Sequence, residues 1–173
     1  TIAGGANNVG VIYEYDKTSS TYTKKYDFIA ANGSVPYGAM IEASNNKLYG
    51  MTNVGGTNAL GTIYEYDYTL NTYTKKIDLS SANGSNPFGN LVQASNGKLY
   101  GLTKNGGANG MGVLFEYDYT TNTYTKKIDF AGTSNGQSPS GSLVEGTNGK
   151  LYGLTELGGS NNLGVLFEYN LSS

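Results

Sequence analysis

The chain of 173 residues contains 26 Gly and 16 Tyr but no Cys or His, and its formal net charge at pH 7 is −2. All 11 basic residues are Lys, so the sequence lacks both the basic excess and the bidentate guanidinium groups that hold nucleic acid, and we predict no nucleic-acid partner. Because thiols and imidazoles are absent, disulfides and the Cys–His and Ser–His–Asp catalytic sites are excluded. The sequence contains no run of 18 apolar residues, so we predict no membrane insertion.

A seven-residue pattern recurs four times along the chain. It reads Gly-x-[Ile/Leu]-[Tyr/Phe]-Glu-Tyr-[Asp/Asn] and begins at Gly10, Gly61, Gly112 and Gly164, in steps of 51, 51 and 52 residues. A period of this size is typical of repeat proteins, in which each unit buries its apolar faces against its neighbours. We therefore interpret the chain as a single repeat array.

The repeat divides the chain into four segments. Residues 1–30 begin in a loop and then supply two strands, residues 31–81 and 82–133 supply four strands each, and residues 134–173 supply three. No stretch shows the 3.6-residue period of a helix. The pattern predicts an all-β chain with two complete and two partial units.

The third segment shows one unit most clearly. Its strands are predicted at residues 91–94, 98–103, 113–118 and 124–130, with Asn96-Gly97 as a type I′ hairpin turn between the first two. Alternation along the fourth strand would place Tyr124, Lys126, Ile128 and Phe130 on one face.

Four antiparallel strands that become more polar from first to last are typical of a β-propeller blade. We predict a β-propeller-type repeat with four-stranded antiparallel blades of about 51 residues and slightly more than three blades' worth of strands. Closed propellers have about four to eight blades. The chain is therefore expected to be a piece of a longer array, or a protomer that completes a ring with other copies.

The Gly-Gly-x-Asn loops between the second and third strands are the candidate ligand sites. Asn offers a donor and an acceptor, exposed Gly backbone adds amides, and a nearby Tyr could stack on a sugar ring. The alternative is structural, with Asn capping the backbone of its own loop and Gly-Gly supplying the turn. The candidate residues are Asn7, Asn58, Asn109, Asn161, Gly56, Gly107 and Gly159.

Acidic pairs recur in the third strands, at Glu14/Asp16, Glu65/Asp67 and Glu116/Asp118. Glycosidase carboxylates or calcium ligands are one interpretation. Identical recurrence argues against catalysis, because an acid and a base need different environments, and we expect ion pairs with Lys of the fourth strand. We predict no catalytic residue, no metal site and no cofactor.

The tyrosine of each Leu-Tyr-Gly sequence, at positions 49, 100 and 152, is expected to pack between blades. We expect its hydroxyl to bond to a neighbouring backbone group. Stacking on a sugar is the alternative, and it would require a ring exposed on the loop face.

Residues 86–103, Asn-Pro-Phe-Gly-Asn-Leu-Val-Gln-Ala-Ser-Asn-Gly-Lys-Leu-Tyr-Gly-Leu-Thr, are followed by the Gly-Gly loop of residues 105–112. This combination resembles the GloVer (Gloeobacter–Verrucomicrobia) tandem repeat, once per unit and over nearly the whole chain. The resemblance implies a propeller-like repeat of large bacterial secreted or surface proteins and supplies no catalytic residues. The chain departs from the family pattern where Asn replaces the Asp of the Asp-Gly turn, and where the fourth strand carries Tyr-Thr-Lys-Lys.

We therefore predict a non-enzymatic structural or adhesion module of a bacterial secreted or cell-surface protein. Its expected partners are other copies, joined through open blade faces into a ring or fibre, or further repeats of a longer chain. The alternative is a carbohydrate-binding propeller with one shallow glycan site per blade, whose affinity depends on multivalency.

Overall fold

The computed structural model describes residues 1–171, which form thirteen strands in four antiparallel sheets. A single 3₁₀ turn at Ala30–Asn32 lies between sheets 1 and 2. Sheet 1 contains β1 (Val11–Asp16) and β2 (Thr21–Asp27); sheet 2 contains β3 (Ile41–Glu42), β4 (Leu48–Thr52), β5 (Thr62–Asp67) and β6 (Thr72–Asp78); sheet 3 contains β7 (Val92–Gln93), β8 (Leu99–Thr103), β9 (Val113–Asp118) and β10 (Thr123–Asp129); sheet 4 contains β11 (Val144–Glu145), β12 (Lys150–Leu154) and β13 (Leu166–Asn170).

Each sheet is a meander in which consecutive strands are hydrogen-bonded neighbours. No strand of one unit pairs with a strand of another unit among these four sheets. The all-β prediction and the four-stranded antiparallel sheets are therefore confirmed. In sheets 2, 3 and 4 the first strand is only two residues long and lies between a Pro-x-Gly segment and a tight hairpin.

Successive sheets pack face to face through apolar and aromatic side chains. The buried residues are Ile12, Phe28, Tyr64 and Tyr66 between sheets 1 and 2; Ala43, Tyr49, Met51, Ile63, Leu91, Leu99, Val113, Phe115 and Tyr117 between sheets 2 and 3; and Ala94, Tyr100, Leu102, Leu114, Phe130, Leu143, Leu151 and Tyr169 between sheets 3 and 4. Each inner sheet thus buries both of its faces, as expected of a repeat unit that cannot bury its apolar surface alone.

A β-bulge in the third and fourth strands changes the face to which side chains point. In sheet 3, Lys126 pairs with Phe115 and Ile128 with Leu114, so Lys127 has no partner across the ladder. Tyr124 consequently packs towards sheet 2, whereas Ile128 packs towards sheet 4. The prediction that alternate residues of this strand share one face was therefore wrong. Equivalent register shifts occur in sheets 1 and 2.

The hairpin turn between the first and second strands also differs from expectation. Gly97 has a φ of 81°, while Asn96 is not among the residues with positive φ. The amide of Gly97 donates to the Ala94 carbonyl oxygen at 2.8 Å, and the amide of Ala94 donates to the Lys98 carbonyl oxygen at 2.9 Å. These bonds close a three-residue loop whose last residue is left-handed, rather than the two-residue type I′ turn that was predicted.

Candidate functional site

The glycine-rich loops connect the second and third strands of each unit. In the third unit, the Gly107 amide donates to the Ser81 carbonyl oxygen at 2.8 Å, and the Ser85 amide donates to that of Asn105 at 2.8 Å. Residues 80–86 belong to the connection between β6 and β7, so the glycine-rich loop lies against the segment that leads into the first strand of the same sheet. The structure brings both kinds of connection together at one end of the sheet.

A carboxylate at the end of the fourth strand fixes each loop of the first three units. Asp129 accepts the Ala108 amide at 2.7 Å and the Lys126 ammonium at 2.9 Å. Asp78 likewise accepts the Thr57 amide at 2.8 Å and the Lys75 ammonium at 3.0 Å. We call this arrangement of Asp, Lys and loop amide the aspartate clamp.

The aspartate clamp favours the charged carboxylate. Burial of Asp129 opposes ionisation, but the hydrogen bonds from the Ala108 amide and Lys126 outweigh it and hold the pKa of Asp129 below its ordinary value. The same balance lowers the pKa of Asp78, where burial is again outweighed by bonds from Thr57 and Lys75.

Gly107 is required at its place for two reasons. Its φ is 82°, in the region that favours glycine. A Cβ there would lie 2.5 Å from Oδ1 of Asp129 and 2.6 Å from Cγ1 of Val113. Gly56 stands in the same relation to Asp78, and both glycines therefore allow the clamp to close.

The loop asparagines use their side-chain amides inside the unit. Nδ2 of Asn58 donates to the Leu79 carbonyl oxygen at 2.8 Å, and Nδ2 of Asn109 donates to that of Phe130 at 2.9 Å. Asn7 makes the same bond to Phe28 at 2.9 Å. The partner lies 21 residues further along the chain, at the end of the fourth strand, and not in the asparagine's own loop.

The fourth loop differs from the other three. Gly159 has a φ of 74° and its amide donates to the Gly132 carbonyl oxygen at 3.1 Å, so the loop keeps its turn and its contact with the preceding linker. Sheet 4 has no fourth strand within residues 1–171. In this part of the chain, Gly159 therefore has no clamp Asp beside it, and Asn161 has no carbonyl group at the end of a fourth strand to which it could donate.

In the second and third units, the recurrent glutamate is held by a tyrosine of the second strand and by the lysine just before that strand. Glu65 accepts the Tyr49 hydroxyl at 2.6 Å and the Lys47 ammonium at 3.0 Å, and Lys76 of the fourth strand lies 3.6 Å from it. The expected ion pair with the fourth strand is present. The expectation that the tyrosine hydroxyl bonds to backbone was wrong, because Tyr49 and Glu65 face each other across β4 and β5.

These bonds keep the glutamates ionised. Burial of Glu65 raises its pKa, but the bonds from Tyr49 and Lys47 outweigh burial, and the resulting pKa is below the ordinary value. Glu116 is held in the same way by Tyr100 and Lys98. Such carboxylates accept hydrogen bonds at neutral pH and hold no proton to donate. No group of three acidic side chains placed to bind a metal occurs among residues 1–171.

Bonds between neighbouring units were missed by the sequence analysis. Oδ1 of Asn90 accepts the Ala39 amide at 2.6 Å, and the Asn90 amide donates to Ser142 Oγ at 2.9 Å. Gln93 exchanges hydrogen bonds with Ser44. The only feature of the sequence that could have indicated these bonds is that the bonded residues are about one repeat apart.

No helix that the structure describes in residues 1–171 is long and apolar enough to span a membrane. A search of the curated proteins finds no match.

Several solved bacterial structures share the fold at low sequence identity. The extracellular domain of the hybrid two component system BT4673 from B. thetaiotaomicron aligns with a TM-score of 0.63 and 17% identity, over 95% of this chain and 19% of the other. The corresponding domain of BT3049 gives a TM-score of 0.58 and 16% identity, over 96% and 18%. TolB from Acinetobacter baumannii gives 0.59 and 13%, over 94% and 36%. The chain thus spans between about a fifth and about a third of these proteins.

The family assignment follows from the sequence match. A family model described as the Gloeobacter/Verrucomicrobia repeat matches residues 1–173, the whole chain, in agreement with the resemblance of its Leu-Tyr-Gly and Gly-Gly segments. This chain belongs to the Gloeobacter/Verrucomicrobia repeat family.

Proposed function

We propose that this chain is a non-enzymatic structural or adhesion module of a secreted or cell-surface bacterial protein, built as part of a β-propeller and able to associate with other copies through its open sheet faces. The observation that carries the proposal is a difference in side-chain exposure. Apolar and aromatic side chains that are buried between neighbouring sheets have exposed equivalents on the outer faces of sheets 1 and 4. The family and the bacterial extracellular domains among the similar structures support the bacterial exterior as its location.

The arrangement of the sheets supports the propeller. The segments that lead into the first strands are bonded to one another, as Ala39 is to Asn90 and Asn90 is to Ser142. The short first strands therefore lie on one side of the stack, where propeller blades approach their common axis. The fourth strands lie at the opposite edge of each sheet.

The outer face of sheet 1 repeats a face that is buried in sheet 2. Tyr13 is 47% exposed, whereas its equivalent Tyr64 is 2% exposed against sheet 1. At the other end, Leu154 and Leu166 of sheet 4 are exposed, whereas their equivalents in sheet 3 are buried against sheet 4. The two ends therefore carry the two complementary halves of the interface that joins neighbouring sheets.

Complementary halves at opposite ends favour head-to-tail contact between copies. Such a contact is heterologous, and it closes into a ring or extends into a fibre according to the rotation between copies. Exposed aromatic and aliphatic side chains on both faces supply the driving force.

Sedimentation velocity over a range of protein concentrations tests the self-association. We expect association of the wild-type chain and its loss in Leu166→Glu, which places a charge on the outer face of sheet 4. Leu70→Glu is the matched control, because Leu70 and Leu166 are both 70% exposed but Leu70 lies in the turn between β5 and β6. A chain that stays monomeric at every concentration, or equal effects of both substitutions, would contradict this part of the proposal.

The carbohydrate-binding alternative remains a hypothesis about the same loops. Because Nδ2 of Asn58 and Asn109 already donates to backbone, a glycan would have to use other groups of the loop or displace a bond that holds the fourth strand. This geometry makes the structural module the better supported of the two functions.

A further inference from the structure

Several asparagines of this chain are followed directly by glycine. These asparagines are Asn32, Asn83, Asn96, Asn105, Asn109, Asn135 and Asn148. Asparagine is chemically labile, and a following glycine makes it more so, because no Cβ shields the backbone amide of that glycine from the asparagine side chain. The amide nitrogen can attack Cγ of the asparagine and release the side-chain amide as ammonia. By sequence alone, all of these Asn-Gly pairs are equivalent.

Burial of the glycine separates four of the pairs from the others. The glycine is buried at positions 33, 84, 106 and 136. A Cβ on Gly33 would lie 2.5 Å from Oγ1 of Thr52, and one on Gly106 would lie 2.9 Å from Cα of Gly84. At such positions there is no room for the ring that the reaction forms or for the water that opens it.

In the other three pairs the glycine lies in open space, at positions 97, 110 and 149. A Cβ at any of these positions would meet no atom of residues 1–171 within 4 Å, its chain neighbours aside, and the preceding asparagines are exposed. Nδ2 of Asn109 donates to the Phe130 carbonyl oxygen at 2.9 Å, which ties this side chain to the end of the fourth strand. Asn96 and Asn148 remain, at equivalent positions in the first hairpins of the third and fourth units.

The hairpin folds the Asn96 side chain back over the peptide bond to Gly97. Oδ1 of Asn96 accepts the Lys98 amide at 3.1 Å, which closes a turn through the side chain. The Lys98 amide thereby donates to the oxygen that becomes negatively charged when the glycine nitrogen attacks Cγ, and so stabilises that charge. Oδ1 of Asn148 accepts the Lys150 amide in the same way, at 3.3 Å.

We propose that Asn96 and Asn148 are sites of spontaneous deamidation in the folded chain. At Asn96, the Gly97 amide first leaves the Ala94 carbonyl oxygen, so the folded chain reacts more slowly than the unfolded one. Hydroxide from the solvent takes the amide proton, and the nitrogen then bonds to Cγ of Asn96. The side-chain amide leaves with a solvent proton as ammonia, and a cyclic imide remains.

Water opens this imide to either of two products. Cleavage of the bond between the nitrogen and Cγ gives Asp. Cleavage of the bond between the nitrogen and the backbone carbonyl carbon gives isoaspartate, in which the main chain runs through the former side chain. A water is consumed and an ammonia released, with no oxidation or reduction, so the solvent supplies every co-reactant.

The conversion of Asn96 breaks a chain of hydrogen bonds that reaches the contact between sheets 3 and 4. Nδ2 of Asn96 donates to the Tyr100 hydroxyl at 2.9 Å, and this hydroxyl donates its only proton to Glu116 at 2.5 Å. A carboxylate at position 96 has no proton to donate and adds a negative charge near Glu116. Tyr100 is completely buried in the cluster between the two sheets. Deamidation of Asn96 therefore weakens this contact.

The second unit contains a natural comparison. Nδ2 of Asn45 donates to the Tyr49 hydroxyl at 2.9 Å, which is the same bond as in the third unit, but the next residue is Asn46 and not glycine. Asn46 has a φ of 59°, and Gly97 has a φ of 81° at the equivalent position. Asparagine is therefore compatible with this left-handed position, and exchange of the two residue types moves the reaction between units while the hairpin is kept.

Peptide mass spectrometry after incubation of the folded chain at mildly alkaline pH tests the proposal. Digestion at acidic pH prevents further reaction, and fragmentation by electron transfer distinguishes isoaspartate from Asp. We expect Asn96 and Asn148 to convert before all other Asn-Gly pairs, whereas a chain unfolded in urea should convert all of them at similar rates. Gly97→Asn should abolish conversion of Asn96 over the same period, and Asn46→Gly should introduce it at Asn45.

Urea unfolding of the Asn96→Asp variant measures the effect of the product on stability. We expect the midpoint to fall by about 0.5 M, because one hydrogen bond to a buried hydroxyl is lost. Asn122→Asp is the matched control. The Tyr117 hydroxyl donates to Oδ1 of Asn122 at 2.8 Å, so a carboxylate at this position still accepts the proton, and the midpoint should not change.

Equal conversion of the Asn-Gly pairs in the folded chain would overturn the proposal, and so would conversion of Asn109 ahead of Asn96. Continued conversion of Asn96 in the Gly97→Asn variant would overturn the assigned reaction. An equal fall of the midpoint in Asn96→Asp and Asn122→Asp would overturn the effect on the contact between sheets. The inference goes beyond the proposed structural module, and none of these measurements depends on association between copies.

Discussion

Replacing Leu99 by Ala is the sharpest perturbation of the contact between sheets. Leu99 is completely buried and belongs to the cluster that joins sheets 2 and 3. Truncation of a fully buried Leu costs about 2–5 kcal/mol, from lost transfer free energy and the cavity left behind. We expect about 3 kcal/mol for Leu99→Ala.

Leu48→Ala is the matched control at the equivalent position of sheet 2. Leu48 packs against the cluster between sheets 1 and 2 and is only half-buried, so its truncation removes less contact and leaves an open depression instead of a closed cavity. We expect about 1 kcal/mol for this variant. The same chemical change thus gives different losses at two equivalent positions of one repeat.

Urea unfolding followed by tyrosine fluorescence and far-ultraviolet circular dichroism measures both variants. With a slope of about 2 kcal/mol per molar urea, we expect the midpoint to fall by about 1.5 M for Leu99→Ala and about 0.5 M for Leu48→Ala. Coincident transitions by the two probes justify a two-state comparison. Equal losses at the two positions, or a loss below about 1 kcal/mol at Leu99, would refute the inferred packing.

The remaining predictions concern the clamp, acid stability and the loops. Asp129→Ala should speed hydrogen exchange of the Ala108 amide about tenfold, because it removes a charged acceptor, whereas Asp118→Ala should not change it. Because the pKa of Glu65 is lower in the folded protein, its ionised carboxylate stabilises the fold fully above the ordinary pKa of 4.5, and this contribution is lost as the pH falls through the lower pKa of the folded state. The urea midpoint of the wild-type chain should therefore fall in acid, and it should fall less for the Glu65→Gln variant. On a glycan array we expect no binding, and reproducible hits that disappear in Asn109→Ala would favour the carbohydrate-binding alternative.

The arrangement of strands could be predicted because each unit repeats the same local signals. The third strand at Val113–Asp118 was predicted to the residue, since a Gly precedes its alternating pattern and a polar turn follows it. Repetition at four places made the interpretation robust, because a chance pattern would not recur with the same spacing.

The side-chain faces and polar partners could not be predicted, because they depend on register. Lys126 and Lys127 are neighbouring residues of the same type, and the sequence does not distinguish them. In the structure, Lys126 pairs with a residue of β9, whereas Lys127 occupies the bulge. The bond between Tyr100 and Glu116 joins residues 16 positions apart and follows only when their strands are aligned. The direct contact between Asn109 and the end of the fourth strand was missed for the same reason.

Nuclear Overhauser contacts between aromatic rings test the stacked sheets most directly. The rings of Tyr26 and Tyr73 lie 4.1 Å apart between sheets 1 and 2, and those of Phe130 and Phe167 lie 5.1 Å apart between sheets 3 and 4. We expect ring contacts between neighbouring units, together with Hα–Hα contacts that stay within a unit. Hα–Hα contacts between strands of different units, without these ring contacts, would show that the units interleave in one sheet and would contradict the stacking.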